Sequence, residues 1–203
     1  MPSWQARLMN AFTRITMKPM MRYMRDIDSM RSITVSVDER QGRSLPQDVR
    51  FQAVRKRDYE GEWVRIAGKR SRRILLYFPG GGFVMRTPAM LVVHYRLAPE
   101  APFPGGLEDC LAAYHDLLKQ GVAPADISLA GDSAGAGLVL STLLALRDEG
   151  TPMPANATVL SPMGDLTFTG ESRVFNKRAD PMLPAHRDSR MHDMYIGDVP
   201  PEN

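Results

Sequence analysis

Between residues 74 and 162, short apolar runs alternate with stretches that have the spacing of amphipathic helices. Runs of this length suit strands that are buried on both faces of a sheet. The helical stretches, at 106–121 and 134–149, are each stopped by a glycine. This alternation is typical of a mostly parallel sheet flanked by helices, so we expect an α/β fold. The runs are ILLYF (74–78), LVVHY (91–95), ISLAG (127–131) and ATVLSP (157–162).

The third apolar run passes directly into a helix through the pentapeptide GDSAG at 131–135. A G-x-S-x-G pattern at such a junction is typical of a nucleophile elbow, a strained turn that presents the serine hydroxyl above the sheet edge. We expect any side chain at Gly131 or Gly135 to crowd that turn. The N–H groups of the helix that begins near Ala134 are directed at the reacting oxygen. The pattern therefore predicts that Ser133 is a nucleophile, with an ordinary helix-capping serine as the alternative.

A glycine triplet follows the first apolar run in the segment FPGGGF (78–83). Without side chains, the N–H groups of such a loop are open to a ligand oxygen. The loop is suited to form an oxyanion hole opposite the elbow, where one donor contributes about 3–4 kcal/mol. A phosphate-binding loop is the alternative, but the residues that complete such a motif do not follow the triplet.

Five segments resemble the hormone-sensitive-lipase-like group of α/β-hydrolases, which contains bacterial carboxylesterases and acetyl-hydrolases. They are PGGGFV (79–84), YRLAPEAPFPGGLED (95–109), GDSAGAGL (131–138), LSPMGDLTFTGES (160–172) and NKRADPML (176–183). The resemblance implies the α/β-hydrolase fold, incomplete at the C-terminus and with a small N-terminal helical cap. Residues 1–45 would form the cap-like segment over the acyl pocket, and residues 46–203 a partial α/β-hydrolase core.

The resemblance also implies a reaction, the hydrolysis of short- to medium-chain acyl esters through an acyl-serine intermediate. It makes Ser133 the catalytic nucleophile and assigns the oxyanion hole to the N–H groups of Gly81, Gly82 and Ala134. No cofactor is implied, and the partner is a small-molecule acyl ester. The resemblance gives Asp132 in the elbow a structural role, and we expect Glu100 and Asp109 to brace a loop through hydrogen bonds. Asp165 and Asp180 fall in motifs upstream of the catalytic acid, so neither is taken for it.

Three departures from the family pattern affect these expectations. Pro79 stands where the family has a histidine before the glycine triplet, so we expect an altered oxyanion loop. Only VMRTPAM (84–90) separates Phe83 from the next apolar run, whereas a parallel crossover needs a dozen or more residues. Either the two strands are arranged differently or a segment is missing. Finally, the fold orders its triad as Ser, acid, His, and the family's acid and His would lie beyond Asn203.

The four histidines offer no evident replacement for the missing base. His94 and His115 precede the serine, and we expect packed or surface roles for them. His186 and His192 lie in PAHRDSRMHDMY (184–195), whose mixed charges are typical of an exposed helix or loop, and we predict no metal site there. Removing a triad histidine lowers kcat on the order of a millionfold, so a chain without its base should be nearly inert.

Three hypotheses therefore remain open. The chain is an incomplete carboxylesterase, a catalytically dead small-molecule binding protein, or a non-functional fragment with exposed apolar surface. Plant gibberellin receptors in the same family illustrate the second, because they lost their histidine and bind a small acid. The family often pairs subunits, which leaves a homodimer open.

Charge is distributed unevenly along the chain. Residues 1–73 hold 17 Lys and Arg against 8 Asp and Glu, while residues 74–203 hold 9 against 15. A basic segment can contact nucleic acid or an anionic membrane, but few aromatics accompany it, and we predict a solvated face and no nucleic-acid binding. No apolar run reaches the length of a membrane span, and charges interrupt the N-terminus. With Cys110 as its single cysteine, the chain is predicted to be cytoplasmic, without stable membrane insertion.

Two patterns organise the N-terminal third. Trp4, Leu8, Phe12 and Ile15 recur at helical spacing and predict an amphipathic helix that Pro19 kinks or ends. Seven of the fourteen methionines lie in the first thirty residues, so this helix is either packed on the core or a soft surface for apolar ligands. Alternating residues at 33–73 predict one or two antiparallel strands with a Glu-Gly turn at 60–61.

Overall fold

The computed structural model describes residues 3–23, 47–69, 71–81, 92–167, 169–182 and 190–199. A six-stranded sheet lies at its centre, with the strand order β1-β2-β4-β3-β5-β6. The strands are β1 (Val49–Arg55), β2 (Glu60–Ile66), β3 (Ile74–Phe78), β4 (Val92–His94), β5 (Ile127–Asp132) and β6 (Asn156–Leu160). The helices are α1 (Trp4–Tyr23), α2 (Gly105–Lys119), α3 (Ser133–Asp148), α4 (Ser172–Phe175) and α5 (Arg190–Ile196).

The sheet is parallel where the alternation of runs and helices predicted it. β3 pairs in parallel with both β4 and β5, and β5 pairs in parallel with β6. β1 and β2 form an antiparallel hairpin, and β2 adds this hairpin to the sheet by pairing antiparallel with β4. The predicted α/β fold with a mostly parallel sheet is therefore confirmed.

The predicted position of the hairpin turn is wrong. The turn spans residues 56–59, where the amide of Lys56 donates to the carbonyl of Tyr59 at 2.9 Å, and Glu60 and Gly61 lie inside β2. A Cβ at Gly61 would lie 2.8 Å from the carbonyl oxygen of Val92 on the neighbouring strand. This glycine therefore allows β2 and β4 to approach each other and does not form a turn.

The short crossover does not rearrange the two strands that it joins. β4 lies beside β3 in parallel orientation, with Tyr77 opposite Val92. Residues 79–91 make the connection, and 82–91 lie outside the described residues. The alternative of a different strand arrangement is therefore wrong.

The main core lies between the sheet and the two long helices. α2 packs on α3 and β4, while α3 packs on β3, β5 and β6. α2 is helical because its apolar residues recur at i, i+3, i+4 and i+7 and form one buried face. Full burial of one large apolar side chain contributes about 1.5–3 kcal/mol. That face of α2 consists of Cys110, Ala113, Tyr114 and Leu117, and α3 and the sheet contribute Leu76, Phe78, Ile127, Leu129, Leu138, Val139 and Leu146.

The loop after β4 is braced by a buried carboxylate, as expected for Asp109. Asp109 is 2% exposed and accepts hydrogen bonds from the Arg96 amide at 2.6 Å and from Arg96 Nε at 2.9 Å. Burial raises the pKa of the Asp109 carboxyl, and the bonds from Arg96 offset part of that increase. The structural role of Asp109 is confirmed, while that of Glu100 stays a prediction.

The N-terminal helix forms as predicted, and it continues through Pro19 to Tyr23. Its apolar stripe is exposed, with Phe12 61% and Ile15 74% accessible, so the interpretation as a helix packed on the core is wrong. Residues 24–46 of the cap-like segment lie outside the described residues, and its place over an acyl pocket stays a prediction. Among the described helices, none is long and apolar enough to cross a membrane.

The buried hydroxyl of Thr142 gives a test of the packing around α3. Thr142 is fully buried, and its Oγ1 has no hydrogen-bond partner within the described part of the chain. We expect Thr142→Val to raise the free energy of unfolding by about 1 kcal/mol, because it removes a desolvated hydroxyl and keeps the shape. Urea unfolding measures this difference. Thr142→Ser keeps the hydroxyl, loses a methyl group and should be less stable than wild type, whereas a Val variant no more stable than wild type would contradict the prediction.

Candidate active site

The serine of the GDSAG pentapeptide lies on a strained turn between β5 and α3. Ser133 is the first residue of α3 and has φ 51°, in the left-handed region that non-glycine residues rarely adopt. Such a conformation costs on the order of 1–3 kcal/mol and persists only where the surroundings impose it. The strained strand-to-helix turn that the sequence predicted is therefore present.

Close packing of main chain against main chain imposes this turn. A Cβ at Gly131 would lie 2.6 Å from the Gly135 carbonyl oxygen and 2.8 Å from that of Phe78. A Cβ at Gly135 would overlap the Phe78 carbonyl and lie 2.7 Å from the carbonyl oxygen of Pro79. The elbow and the end of β3 thus touch without side chains between them, which confirms that side chains at 131 and 135 would crowd the turn.

The carboxylate of Asp132 connects the elbow to the glycine loop. Its Oδ1 accepts hydrogen bonds from the Gly80 amide at 2.8 Å and from the Tyr77 hydroxyl at 2.7 Å. Burial, followed by the hydrogen bond and the charge of Asp132, raises the pKa of Tyr77 to about 12. The hydroxyl of Tyr77 therefore remains a protonated donor at neutral pH, and the structural role implied for Asp132 is confirmed.

A second hydrogen bond holds the loop at the position where the family's histidine is replaced. The buried Tyr95 hydroxyl donates to the Pro79 carbonyl at 2.6 Å. Gly81 follows with φ 141°, a conformation that suits glycine. Sequence reasoning did not single out Tyr77 or Tyr95, although Tyr95 opens one of the family motifs and Tyr77 precedes the triplet closely.

The structure describes two of the three residues that were predicted to donate to the oxyanion, Gly81 and Ala134. Gly81 lies next to Gly80, which is bonded to the elbow, and Ala134 is fully buried in the first turn of α3. Gly82 lies outside the described residues. The role of all three N–H groups stays a prediction.

The elbow is also tied to the loop after β6. The Met163 amide donates to the Ser133 carbonyl at 3.0 Å. Ser161, in the same loop, is the other described non-glycine residue with positive φ, at 49°. Within the described part of the chain, the Ser133 hydroxyl has no hydrogen-bonded base, so its role as a nucleophile stays a prediction.

The described histidine side chains lie elsewhere. Nε2 of His115 lies 3.2 Å from Oε2 of Glu149, where it links α2 to the end of α3. His94 ends β4 and lies opposite Glu60 of β2. His186 and the side chain of His192 are outside the described residues, so their exposed placement stays a prediction. The packed or surface roles expected for His94 and His115 agree with their positions.

Asp165 and Asp180 hold local turns. The Asp165 carboxylate accepts hydrogen bonds from the amides of Thr167 and Thr169 at 2.9 and 3.0 Å, and the Thr167 hydroxyl is the main cause that lowers its pKa. The Asp180 carboxylate accepts from the Met182 amide at 2.8 Å. Both carboxylates accept hydrogen bonds from amides two to four residues further along the chain.

A polar cleft of about 550 Å³ opens beside the β1–β2 turn and the first turns of α2. It contains no residue of the elbow or of the glycine loop, so it is not the pocket for an acyl chain bound to Ser133. Its lining is formed by Lys56, Arg57, Asp58, Tyr59, Glu60, His94, Arg96, Glu108, Asp109 and Ala112.

Comparison with known proteins identifies the family. A family model described as the alpha/beta hydrolase fold matches residues 75–203. The chain belongs to the α/β-hydrolase family. An acetyl-hydrolase of Streptomyces hygroscopicus is 41% identical to this hydrolase chain over 158 residues, which cover 70% of the chain and 52% of that protein. The chain spans about half the length of the curated relatives that it matches.

Solved structures agree with this assignment. The crystal structure of EstE5 soaked with p-nitrophenyl butyrate has a TM-score of 0.88 to this hydrolase chain at 33% identity, covering 100% of this chain and 72% of that one. The structure of an esterase from the bacterial hormone-sensitive lipase family has a TM-score of 0.85 at 31% identity, with the same coverage. The resemblance to the hormone-sensitive-lipase-like group is therefore confirmed.

The close approach at the elbow predicts that Gly135 cannot be replaced by alanine. The added Cβ would overlap the carbonyl of Phe78, so we expect Gly135→Ala to lower the free energy of unfolding by about 3 kcal/mol. Thermal unfolding followed by circular dichroism measures the loss. Gly164→Ala is the matched control, because its Cβ would lie 3.7 Å from Leu140 Cδ1, an ordinary contact. Equal stability of the two variants would show that the elbow is not close-packed.

The Asp132 carboxylate predicts a specific order of variants. Asp132→Ala leaves the Gly80 amide and the Tyr77 hydroxyl without their acceptor, and should lower stability by about 1–3 kcal/mol and speed hydrogen exchange at Gly80. Asp132→Asn keeps an acceptor oxygen and should lie between Ala and wild type. Urea unfolding and amide hydrogen exchange give the two readouts. Asp148→Ala, which removes an exposed partner of Arg147, should change neither; unchanged exchange at Gly80 in Asp132→Ala would refute the link.

Proposed function

We propose that this chain carries the nucleophile and oxyanion-hole part of a serine carboxylesterase that hydrolyses short- to medium-chain acyl esters. One observation carries the proposal. Ser133 lies on a left-handed turn at φ 51°, and the glycine loop is bonded to the same turn through Asp132. A turn of this kind at a strand-to-helix junction is the arrangement in which α/β-hydrolases present their nucleophile.

The proposed reaction uses the serine of the elbow as its nucleophile. The Ser133 oxygen would attack the ester carbonyl carbon while a base, which the described residues do not supply, accepts the hydroxyl proton. The base would return this proton to the leaving alkoxide, which gives the alcohol and an acyl-serine, and water would then hydrolyse the acyl-serine to the acid and free Ser133. Charge develops on the carbonyl oxygen during the attack, and the N–H groups of Gly81, Gly82 and Ala134 would stabilise it. The N-terminal end of α3 adds its positive dipole at the same place.

The relatives support the substrate class. They include an acetyl-hydrolase and an esterase of Acinetobacter venetianus, and EstE5 was soaked with an ester, p-nitrophenyl butyrate. Acetyl and butyryl groups are short acyl chains, which motivates the short end of the proposed range.

A second candidate is the binding of a small molecule without turnover. It is favoured by the Ser133 hydroxyl, which has no base bonded to it among the described residues. The same residues that would hold the oxyanion could then hold the oxygen of a ligand. Turnover separates the two candidates.

A fluorophosphonate probe tests the nucleophile directly, because it reacts covalently with an activated serine. We expect the purified 203-residue chain to be labelled at Ser133, slowly at neutral pH and faster with added imidazole, which can accept the proton. Ser133→Ala should abolish labelling. Ser161→Ala is the matched control, since Ser161 is exposed and also has positive φ, and it should be labelled like wild type. Labelling that persists in Ser133→Ala, or none with imidazole, would refute the proposal.

Hydrolysis of p-nitrophenyl butyrate then separates the esterase from the binding protein. Without an added base, wild type and Ser133→Ala should both show only the residual enhancement of about 10³–10⁴-fold over water that an oxyanion hole and binding supply. With imidazole added as the base, wild type should hydrolyse the ester faster than Ser133→Ala, because only wild type has a hydroxyl for imidazole to activate. A chain that butyrate stabilises against heat, and whose hydrolysis with added imidazole is equal in wild type and Ser133→Ala, would favour binding without turnover.

A further inference from the structure

α1 presents a continuous apolar stripe that no other part of the described chain covers. Scattered exposed apolar residues are normal on protein surfaces, but a contiguous stripe marks an interaction site. The stripe consists of Trp4, Leu8, Phe12 and Ile15, which are 70%, 64%, 61% and 74% exposed.

The helix is attached to the body of the protein by its polar flank. The Arg14 guanidinium donates to the Ala179 carbonyl at 3.2 Å. The Lys18 ammonium donates to the carbonyls of Lys177 and Asp180 at 2.9 and 2.6 Å. These bonds orient α1 so that the apolar stripe faces outward.

The charge of α1 is of one sign. The segment Trp4–Tyr23 contains four basic residues and no acidic one. Arg7, Arg14 and Lys18 follow one another at i, i+7 and i+11, so they line one edge of the stripe. Arg14 and Lys18 are bonded to the body, whereas the exposed Arg7 can lay its alkyl stem along the stripe while its guanidinium reaches outward.

These properties distinguish between occupants of the stripe. Two copies of α1 packed stripe to stripe would bring together two helices that carry positive charges only, and like charges oppose such pairing. An anionic lipid surface matches both features, because its acyl chains accept the apolar side chains and its phosphates attract the cations. Tryptophan is, in addition, a residue enriched at the headgroup level of membranes.

We propose that α1 is an interfacial helix that binds the chain reversibly to anionic lipid surfaces. The helix would lie parallel to the surface, with its stripe about 5–10 Å deep at the headgroup boundary. This mode needs no membrane span. It would place the chain where apolar esters accumulate, whichever reaction the elbow supports.

Vesicle sedimentation of the full chain tests the proposal. We expect the chain to sediment with vesicles of phosphatidylcholine and phosphatidylglycerol in equal parts at low salt, and not with phosphatidylcholine alone. Binding should weaken as salt rises, because counterions screen the cations. In a Trp63→Phe background, the fluorescence of Trp4 should shift to shorter wavelength on binding, since its indole leaves water.

Matched variants locate the binding surface. Leu8→Ser should lower the partition coefficient about tenfold. Leu144→Ser, which removes a leucine that is 52% exposed on α3, should leave it unchanged. Arg7→Gln should lower it about fivefold, the effect of one cation near an anionic surface.

Three results would overturn the proposal. They are absence of sedimentation with the anionic vesicles, equal loss of binding in Leu8→Ser and Leu144→Ser, and equal binding to charged and uncharged vesicles. Analytical ultracentrifugation without lipid adds a fourth. If the chain does not bind vesicles and forms a dimer that Leu8→Ser dissociates, the stripe would be assigned to self-association.

Discussion

The site depends on direct contact between the main chain of residues 78–80 and that of residues 131–135. No side chain fits between them, as the close distances from Gly131 and Gly135 to the carbonyls of β3 show. This contact fixes the path of the chain where β5 becomes α3 and forces Ser133 into the left-handed region. The parallel pairing of β3 with β5 brings the two segments to the same edge of the sheet. Ser133 and the glycine loop are therefore neighbours because of the way the strands pair.

Hydrogen bonds then stabilise the contact between the elbow and the glycine loop. Asp132 joins the Gly80 amide to the elbow, and Tyr95 holds the Pro79 carbonyl from the other side. Pro79 stands where the resemblance implies a histidine, and here the Pro79 carbonyl and the Gly80 amide are both hydrogen-bonded. The main chain at Pro79 and Gly80 is therefore held in place, and this fixes the position at which the glycine triplet begins.

Local patterns were enough to predict the central sheet, the two long helices and the elbow. Apolar runs and helical periodicity depend on neighbours in sequence, and G-x-S-x-G indicates a crowded turn when it lies between a predicted strand and a predicted helix. The turn at Glu60-Gly61 was misplaced for the same reason. Glycine there permits the approach of Val92 from a strand that lies thirty residues later, and no local pattern distinguishes that use from a turn.

The sequence by itself thus determined the fold class, the identity of Ser133 as the candidate nucleophile, and the amphipathic character of α1, because each follows from spacing within a few residues. Only the tertiary structure decided which groups hold the glycine loop, since Asp132 and Gly80 are 52 residues apart and meet through strand pairing. It also decided that the apolar stripe of α1 faces outward. The orientation of an amphipathic helix depends on the groups to which its polar side chains bond. In α1 these side chains are Arg14 and Lys18, and they bond to main-chain carbonyls more than 150 residues away in sequence.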